Sequence, residues 1–179
     1  MRPHLAQVLN VAGTIHLDYW WTNHKPIIGP SIAPIKWLPP PLGWYKIKFD
    51  GSVRCSHAAI GFVIRDDNAH VVLAGAKKIG CNSIIVAECL TLRDDLAYVV
   101  SISKGWSKLL VEGDSKLVID SVLKRCSTPW CINQLVQDIL HLRTFCDQVS
   151  FSHVFREANA VVNALASWSF SLAFKVVGE

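Results

Sequence analysis

One interruption constrains the fold of this chain more than any other feature: a long helical repeat separates its third and fourth strand-length runs. Residues 45–50 alternate, with Tyr45, Ile47 and Phe49 on one face and Lys46, Lys48 and Asp50 on the other, as in a half-buried strand. Residues 58–65 and 70–79 read as two more strands, joined by the turn-forming Arg65-Asp66-Asp67-Asn68. Three strands this closely spaced make an antiparallel meander. Ser83 then caps a helix running to about residue 103, with Ile85, Cys89, Leu92, Leu96 and Val99 at helical spacing. A short apolar strand follows at 108–112. A helix between two strands of one sheet implies a parallel crossover, so the sheet is mixed.

The rest of the chain extends this pattern. Asp114-Ser115 opens a helix to about residue 125, Pro129 interrupts, and a helix follows over 131–145. A fifth strand is expected at 149–154 and a last helix over 157–168. The order β-β-β-α-β-α-α-β-α describes an α/β domain, a five-stranded mixed sheet flanked by helices, over residues 44–170. Residues 1–43 hold seven of the eight prolines and are read as a tail and linker. Pro39-Pro40-Pro41 should be extended, a short helix is expected near residues 5–11, and Trp20, Trp21 and Trp37 are candidate anchors. Residues 171–179 form a C-terminal tail.

Composition excludes several classes. With 51% hydrophobic and 18% charged residues, the chain has too much core for a disordered protein. The net charge of +4 divides evenly between residues 1–43 and 44–179, which is compatible with a polyanionic partner without arguing for one. The six cysteines show no C-x-x-C pair, so a zinc site is not expected, and reduced, mostly buried thiols are. Met1-Arg2 and the stretch 5–17 resemble a signal peptide only faintly, because His4, Gln7, Asn10 and His16 break the apolar run. No targeting segment is read and an intracellular protein is expected, its compartment unspecified. The uncharged run 158–174 contains Asn159, Asn163 and three serines, and reads as an amphipathic helix, not a membrane span. A monomer without a membrane partner is expected.

Three acidic residues fall where strands end or helices turn inward: Asp50 in Phe49-Asp50-Gly51-Ser52, Glu88 in Ala87-Glu88-Cys89, and Asp114 in Glu112-Gly113-Asp114-Ser115. Singly, each reads as a surface carboxylate, and Asp114 as a helix cap. Together they read differently. Glu88 shares its helix face with Ala87, Thr91 and Leu92, and carboxylates brought together repel unless cations neutralise them. Mg2+ prefers such hard oxygen ligands, and two such ions can drive phosphodiester hydrolysis.

The run from Gly43-Trp44-Tyr45 to Gly51-Ser52, followed by Gly61-Phe62-Val63-Ile64-Arg65-Asp66, resembles the ribonuclease H type-1 domain. More narrowly it is similar to the plant reverse-transcriptase-like group related to non-LTR retrotransposon proteins. The segments Ala87 to Asp94, Val111 to Ser115 and His153-Val154-Phe155-Arg156-Glu157-Ala158-Asn159 agree, as does the preceding Trp37-Leu38-Pro39-Pro40-Pro41. The resemblance implies a ribonuclease-H-like fold and a Mg2+-dependent endonuclease, with Mn2+ as a substitute, cutting RNA in an RNA–DNA hybrid. Asp50, Glu88 and Asp114 match the family's metal-binding acids, and His153 its catalytic histidine, although a plain polar residue at a strand end reads equally well. The family's fourth acid falls at Asn163, in Asn159-Ala160-Val161-Val162-Asn163-Ala164-Leu165-Ala166.

That departure has a physical cost. An amide oxygen can still ligate Mg2+, but it is neutral and takes up no proton, so metal affinity and turnover should fall. Ile84 and Ile85 stand where many members carry asparagines facing 2′-hydroxyls, which weakens recognition of the RNA strand. Ile60 precedes Gly61 where a glycine pair is common, and Ala69 follows Asn68 where Asn-Gly would favour a tight turn. A second reading is therefore a non-catalytic nucleic-acid-binding or scaffold module, and a third is a retrotransposon-derived fragment. Lys77, Lys78, Lys104, Lys108, Lys116, Lys124 and Arg125 could follow a nucleic-acid backbone, but read more simply as a solvated face. Trp106 and Trp130 read as packing residues. No phosphate-binding loop or nucleophile elbow is present, and Ser52, His57 and Asp66 make no convincing triad.

Overall fold

A computed structural model describes residues 38–102 and 105–170. The expectations for residues 1–37, Lys104 and residues 171–179 lie outside the described residues. The elements are β1 (Tyr45–Arg54), β2 (His57–Arg65), β3 (Val71–Cys81), α1 (Ile84–Ser101), β4 (Lys108–Gly113), α2 (Lys116–Val122), α3 (Trp130–Arg143), β5 (Gln148–His153), a 3-10 turn (Arg156–Asn159) and α4 (Ala160–Ser169). The order is the one expected. The strands form one sheet, β3-β2-β1-β4-β5. β1 pairs antiparallel with β2 and β2 with β3, whereas β4 runs parallel to both β1 and β5. The long helix thus delivers β4 beside β1, as its position in the sequence demands.

Both faces of the sheet are covered. Ile47, Phe49 and Ile64 pack with Leu92 and Leu96 of α1 and with Ile132, Val136 and Ile139 of α3. On the opposite face Val63, Ala74 and Ala76 meet Val162 and Leu165 of α4. Each fully buried Val or Leu side chain contributes about 1.5–3 kcal/mol. Gly61 sits under α4: a Cβ there would lie 2.6 Å from the Ala166 nitrogen and 2.9 Å from the Val162 carbonyl oxygen. Both obstacles are backbone, so Gly61→Ala must push the helix off the sheet. The expected loss is about 1–3 kcal/mol, read as a lower urea midpoint.

This second cover corrects the reading of β1 as a half-solvated strand. Lys46 and Lys48 are buried, and both pair with Glu112, at 2.7 and 3.3 Å. Lys48 also donates to the Ala158 carbonyl, and burial pulls its pKa down. Alternation alone gives the two faces of a strand, not which of them meets water.

The two hairpin turns use left-handed residues. Cys55 and Ser56 have φ of 47° and 64° in the β1–β2 turn. In the β2–β3 turn the Asp66 carboxylate accepts the Asn68 and His70 amides, and Ala69 is held at φ 69°. Glycine adopts this conformation without a Cβ clash. Ala69→Gly should therefore stabilise the protein by about 0.5–1 kcal/mol, measured by thermal or urea unfolding.

Other expectations need correction. Ser83 and Ser115 precede α1 and α2, but neither side chain caps its helix. α2 stops at Val122, short of residue 125, because Lys124 turns left-handed at φ 56°. Of the six free cysteines only Cys89 is buried, and Cys55, Cys81, Cys126 and Cys131 are exposed. Trp106 packs as expected, stacked on Tyr45 at 4.9 Å, but Trp130 is 91% exposed. It opens α3 outside the helix's buried stripe of Ile132, Val136 and Ile139. Lys77 and Lys116 are ion-paired, to Asp94 and Asp120, while Lys78, Lys108, Lys124 and Arg125 lie exposed. No helix among the described residues is long and apolar enough to cross a membrane.

Candidate metal centre

The parallel pairing of β1 with β4 places Phe49 beside Gly113, and so brings Asp50 and Asp114 to one end of the sheet. The third acid arrives on α1. Gly51 makes this approach feasible: a Cβ there would lie 2.8 Å from the Glu88 nitrogen and 3.0 Å from the Ala87 Cβ. With only hydrogen at that position, the start of α1 lies against β1. Asp50, Glu88 and Asp114 each offer one carboxylate oxygen, and these oxygens all lie within 4.8 Å of one another.

The electrostatics are severe. Asp50 and Glu88 are 4% and 6% exposed. Burial, the Asp114 charge and a hydrogen bond shared with Asp114 push the Asp50 carboxyl up to about 8. Burial, with Asp50 and Asp114 nearby, pushes Glu88 up to about 9. The Gly51 amide and the Arg156 guanidinium oppose both shifts only in part. Asp50 Oδ2 and Glu88 Oε2 are buried with no hydrogen-bond partner. Such groups need either protons or cations. Closely spaced hard oxygen donors with partnerless atoms fit a divalent ion of the Mg2+ or Mn2+ kind.

Asn159 completes the arrangement, and sequence reading missed its role. Fully buried at the end of the 3-10 turn, its amide nitrogen donates to the Phe49 carbonyl (2.8 Å) and to Asp114 Oδ1 (3.0 Å). Both neighbours are acceptors, which fixes the orientation of the amide. Its own Oδ1 is buried without a partner. Asn159 thus ties Asp114 to the strand that carries Asp50. The signal in the sequence was an amide opening an otherwise apolar helix. Arg156, the other residue not singled out, acts on both acids through its charge.

His153 lies at the end of β5 beside the cluster, with Nε2 3.2 Å from the Asp114 backbone oxygen. A carbonyl can only accept, so Nε2 carries the proton in this contact, and in the neutral ring the lone pair is then on Nδ1. The ring is exposed and stands edge-on to Phe155. Asn163 is half-buried one helical turn beyond Asn159, lining a shallow surface hollow with Arg156 and Ser167. Ile84 is half exposed and Ile85 partly buried at the start of α1.

A five-stranded sheet of this order, with carboxylates gathered at the ends of its adjacent parallel strands, defines a domain of the ribonuclease H type. The reverse transcriptase-like family matches residues 48–169, and the chain belongs to that family. No curated protein sequence matches it. Among solved structures it is similar to RNase H1 from the halophilic archaeon Halobacterium salinarum, at 25% identity and a TM-score of 0.66, covering 71% of this chain and 97% of that one. The N-terminal RNase H domain of a Mycobacterium tuberculosis protein is 23% identical with a TM-score of 0.65, covering 71% and 93%. The foamy viral protease-reverse transcriptase in complex with an RNA/DNA hybrid is 16% identical with a TM-score of 0.60, covering 82% of this chain and 23% of that one.

Proposed function

We propose that this domain binds nucleic acid and hydrolyses the RNA strand of an RNA–DNA hybrid endonucleolytically, with turnover weakened by the missing fourth acid. The observation that carries this reading is the buried carboxylate triad with its partnerless oxygens. The nucleic-acid partner is supported by similar structures described in complex with RNA/DNA hybrid, one of them a compost-derived RNase H1. A reverse-transcriptase-like context is supported by the family description.

Asp50, Glu88 and Asp114 would hold Mg2+ or Mn2+, with Asn163 as a weak, neutral fourth ligand. When bound, such ions activate a water and stabilise the leaving 3′ oxygen. The protein's own groups do the rest. Asn159 orients Asp114, Gly51 lets Glu88 approach, and His153 presents the Nδ1 lone pair to move a proton at the rim. Asn163 can neither add charge to the cluster nor take a proton.

The test is cleavage of a labelled RNA–DNA hybrid in Mg2+. Asn163→Asp should raise the rate by about tenfold or more, because ligand charge and orientation set affinity and turnover at divalent sites. Asp50→Asn should abolish cleavage, and cleavage that survives it overturns the assignment. Binding of hybrid without cleavage, in wild type and in Asn163→Asp, supports the second reading, an inactive nucleic-acid-binding module. The neutral Asn163 and the apolar Ile84 and Ile85 are the observations that favour it.

A further inference from the structure

A second site lies on the same helix, away from the carboxylate triad. α1 leaves the face of the edge strand β3 partly uncovered, and a cleft of about 520 Å³ runs between them. That volume falls within the range of small-molecule sites. Its helical wall is the stripe Asp94, Ala97, Tyr98 and Ser101, residues spaced to share one face. Its strand side is Ile60, Phe62 and Leu73. Gly75 shapes that side: a Cβ there would lie 2.5 Å from the Phe62 ring, so the ring lies over the bare backbone and leaves the cleft open.

Two polar features stand out against these apolar walls. Asp95 lines the cleft and is 1% exposed, and its Oδ2 has no hydrogen-bond partner. It lies two helical turns beyond Glu88, about 10 Å along the axis, and plays no part in the metal centre. At the rim, Lys77 and Arg93 share the single carboxylate of Asp94, each at 2.5 Å, which leaves one positive charge in excess.

We propose that this cleft binds an adenine nucleotide, with the base between Phe62 and Tyr98, its amino edge on Asp95, and its phosphate at Lys77 and Arg93. An apolar ligand would leave the Asp95 carboxyl buried and unpaired, which is costly. A bare phosphate would use the rim and leave the aromatic walls empty. A planar heterocycle carrying an anion satisfies all three parts. Burial holds the Asp95 carboxyl well above its ordinary range. A neutral carboxyl offers a donor and an acceptor side by side, the complement of adenine N1 and its 6-amino group. The proposal does not depend on metal binding or on hybrid cleavage.

The experiment is titration of the full chain with AMP in metal-free buffer, by calorimetry or amide chemical shifts. Saturable binding is expected, with ribose 5-phosphate about tenfold weaker or worse. The surface variant Lys77→Ala and the near-isosteric, apolar Asp95→Leu should each weaken AMP by about tenfold without loss of the folded state, whereas Asp95→Asn keeps a donor beside an acceptor and should retain binding. Absence of saturable binding at low-millimolar AMP overturns the proposal. So does equal binding of ribose 5-phosphate, or AMP binding that Lys77→Ala and Asp95→Leu both leave intact. Binding lost in Asp50→Asn places the nucleotide at the carboxylate triad and also overturns it.

Discussion

Asn159→Asp should abolish measurable Mg2+ binding and cost about 3 kcal/mol or more of stability. The amide it replaces is fully buried and donates to two oxygens, the Phe49 carbonyl and Asp114 Oδ1. A carboxylate has no proton to give either of them, so two hydrogen bonds become two repulsive contacts. The new charge also joins a cluster that already holds Asp50 and Glu88 above their ordinary range. Asn163→Asp is the same chemical change one turn along, at a half-buried position beside Arg156. There the added charge should tighten metal binding. Isothermal titration with Mg2+, paired with urea unfolding of both variants, reads the contrast directly. Equal effects at the two positions would show that Asn159 does not orient Asp114.

Without divalent metal, the melting temperature should fall by about 10 °C or more between pH 5 and pH 9. Unfolded, Asp50 and Glu88 titrate near 4, whereas in the folded protein they titrate near 8 and 9. Between those limits the folded state binds more protons than the unfolded state, so stability declines as pH rises. The contribution is fully present below about pH 4 and lost as pH passes 8 to 9. Asp95, buried and shifted in the same direction, adds to the slope. Metal separates the two sources. On the proposed reading Mg2+ would bind the ionised triad, so it should restore stability at pH 8 and much less at pH 5. Glu88→Gln should flatten the profile and remove the Mg2+ effect, while Asp95→Asn should flatten it and leave the Mg2+ effect in place. Differential scanning calorimetry across this pH range, with and without Mg2+, is the measurement.

The topology was legible because periodicity changes from two to 3.6 at clear positions, and because a helix between strands has few sterically allowed paths. The three acids were legible because each follows an apolar run beside a glycine or on a buried helix face. Burial of Lys46 and Lys48 was not, because an alternating strand reads the same whether its polar face meets water or another helix. The role of Asn159 was hidden for a related reason. Its partners are a carbonyl and a carboxylate that lie 110 and 45 residues away, and no local pattern encodes such a meeting. Asn163 drew attention through a motif, whereas Asn159 matters through packing.

The contacts made by Lys48 and Asn159 also bear on the order in which the protein is made. Lys48 reaches the Ala158 carbonyl, and Asn159 reaches the Phe49 carbonyl, each across 110 residues of chain. They close on the two residues that precede Asp50. During synthesis, therefore, the three acids are all present long before the segment that fastens them has left the ribosome. A nascent chain can hold β1 to β4 and α1 and still lack a finished centre. The carboxylate cluster would reach its final arrangement last, when the final turn and α4 dock, so a polypeptide cut short there should keep its acids and lose their arrangement.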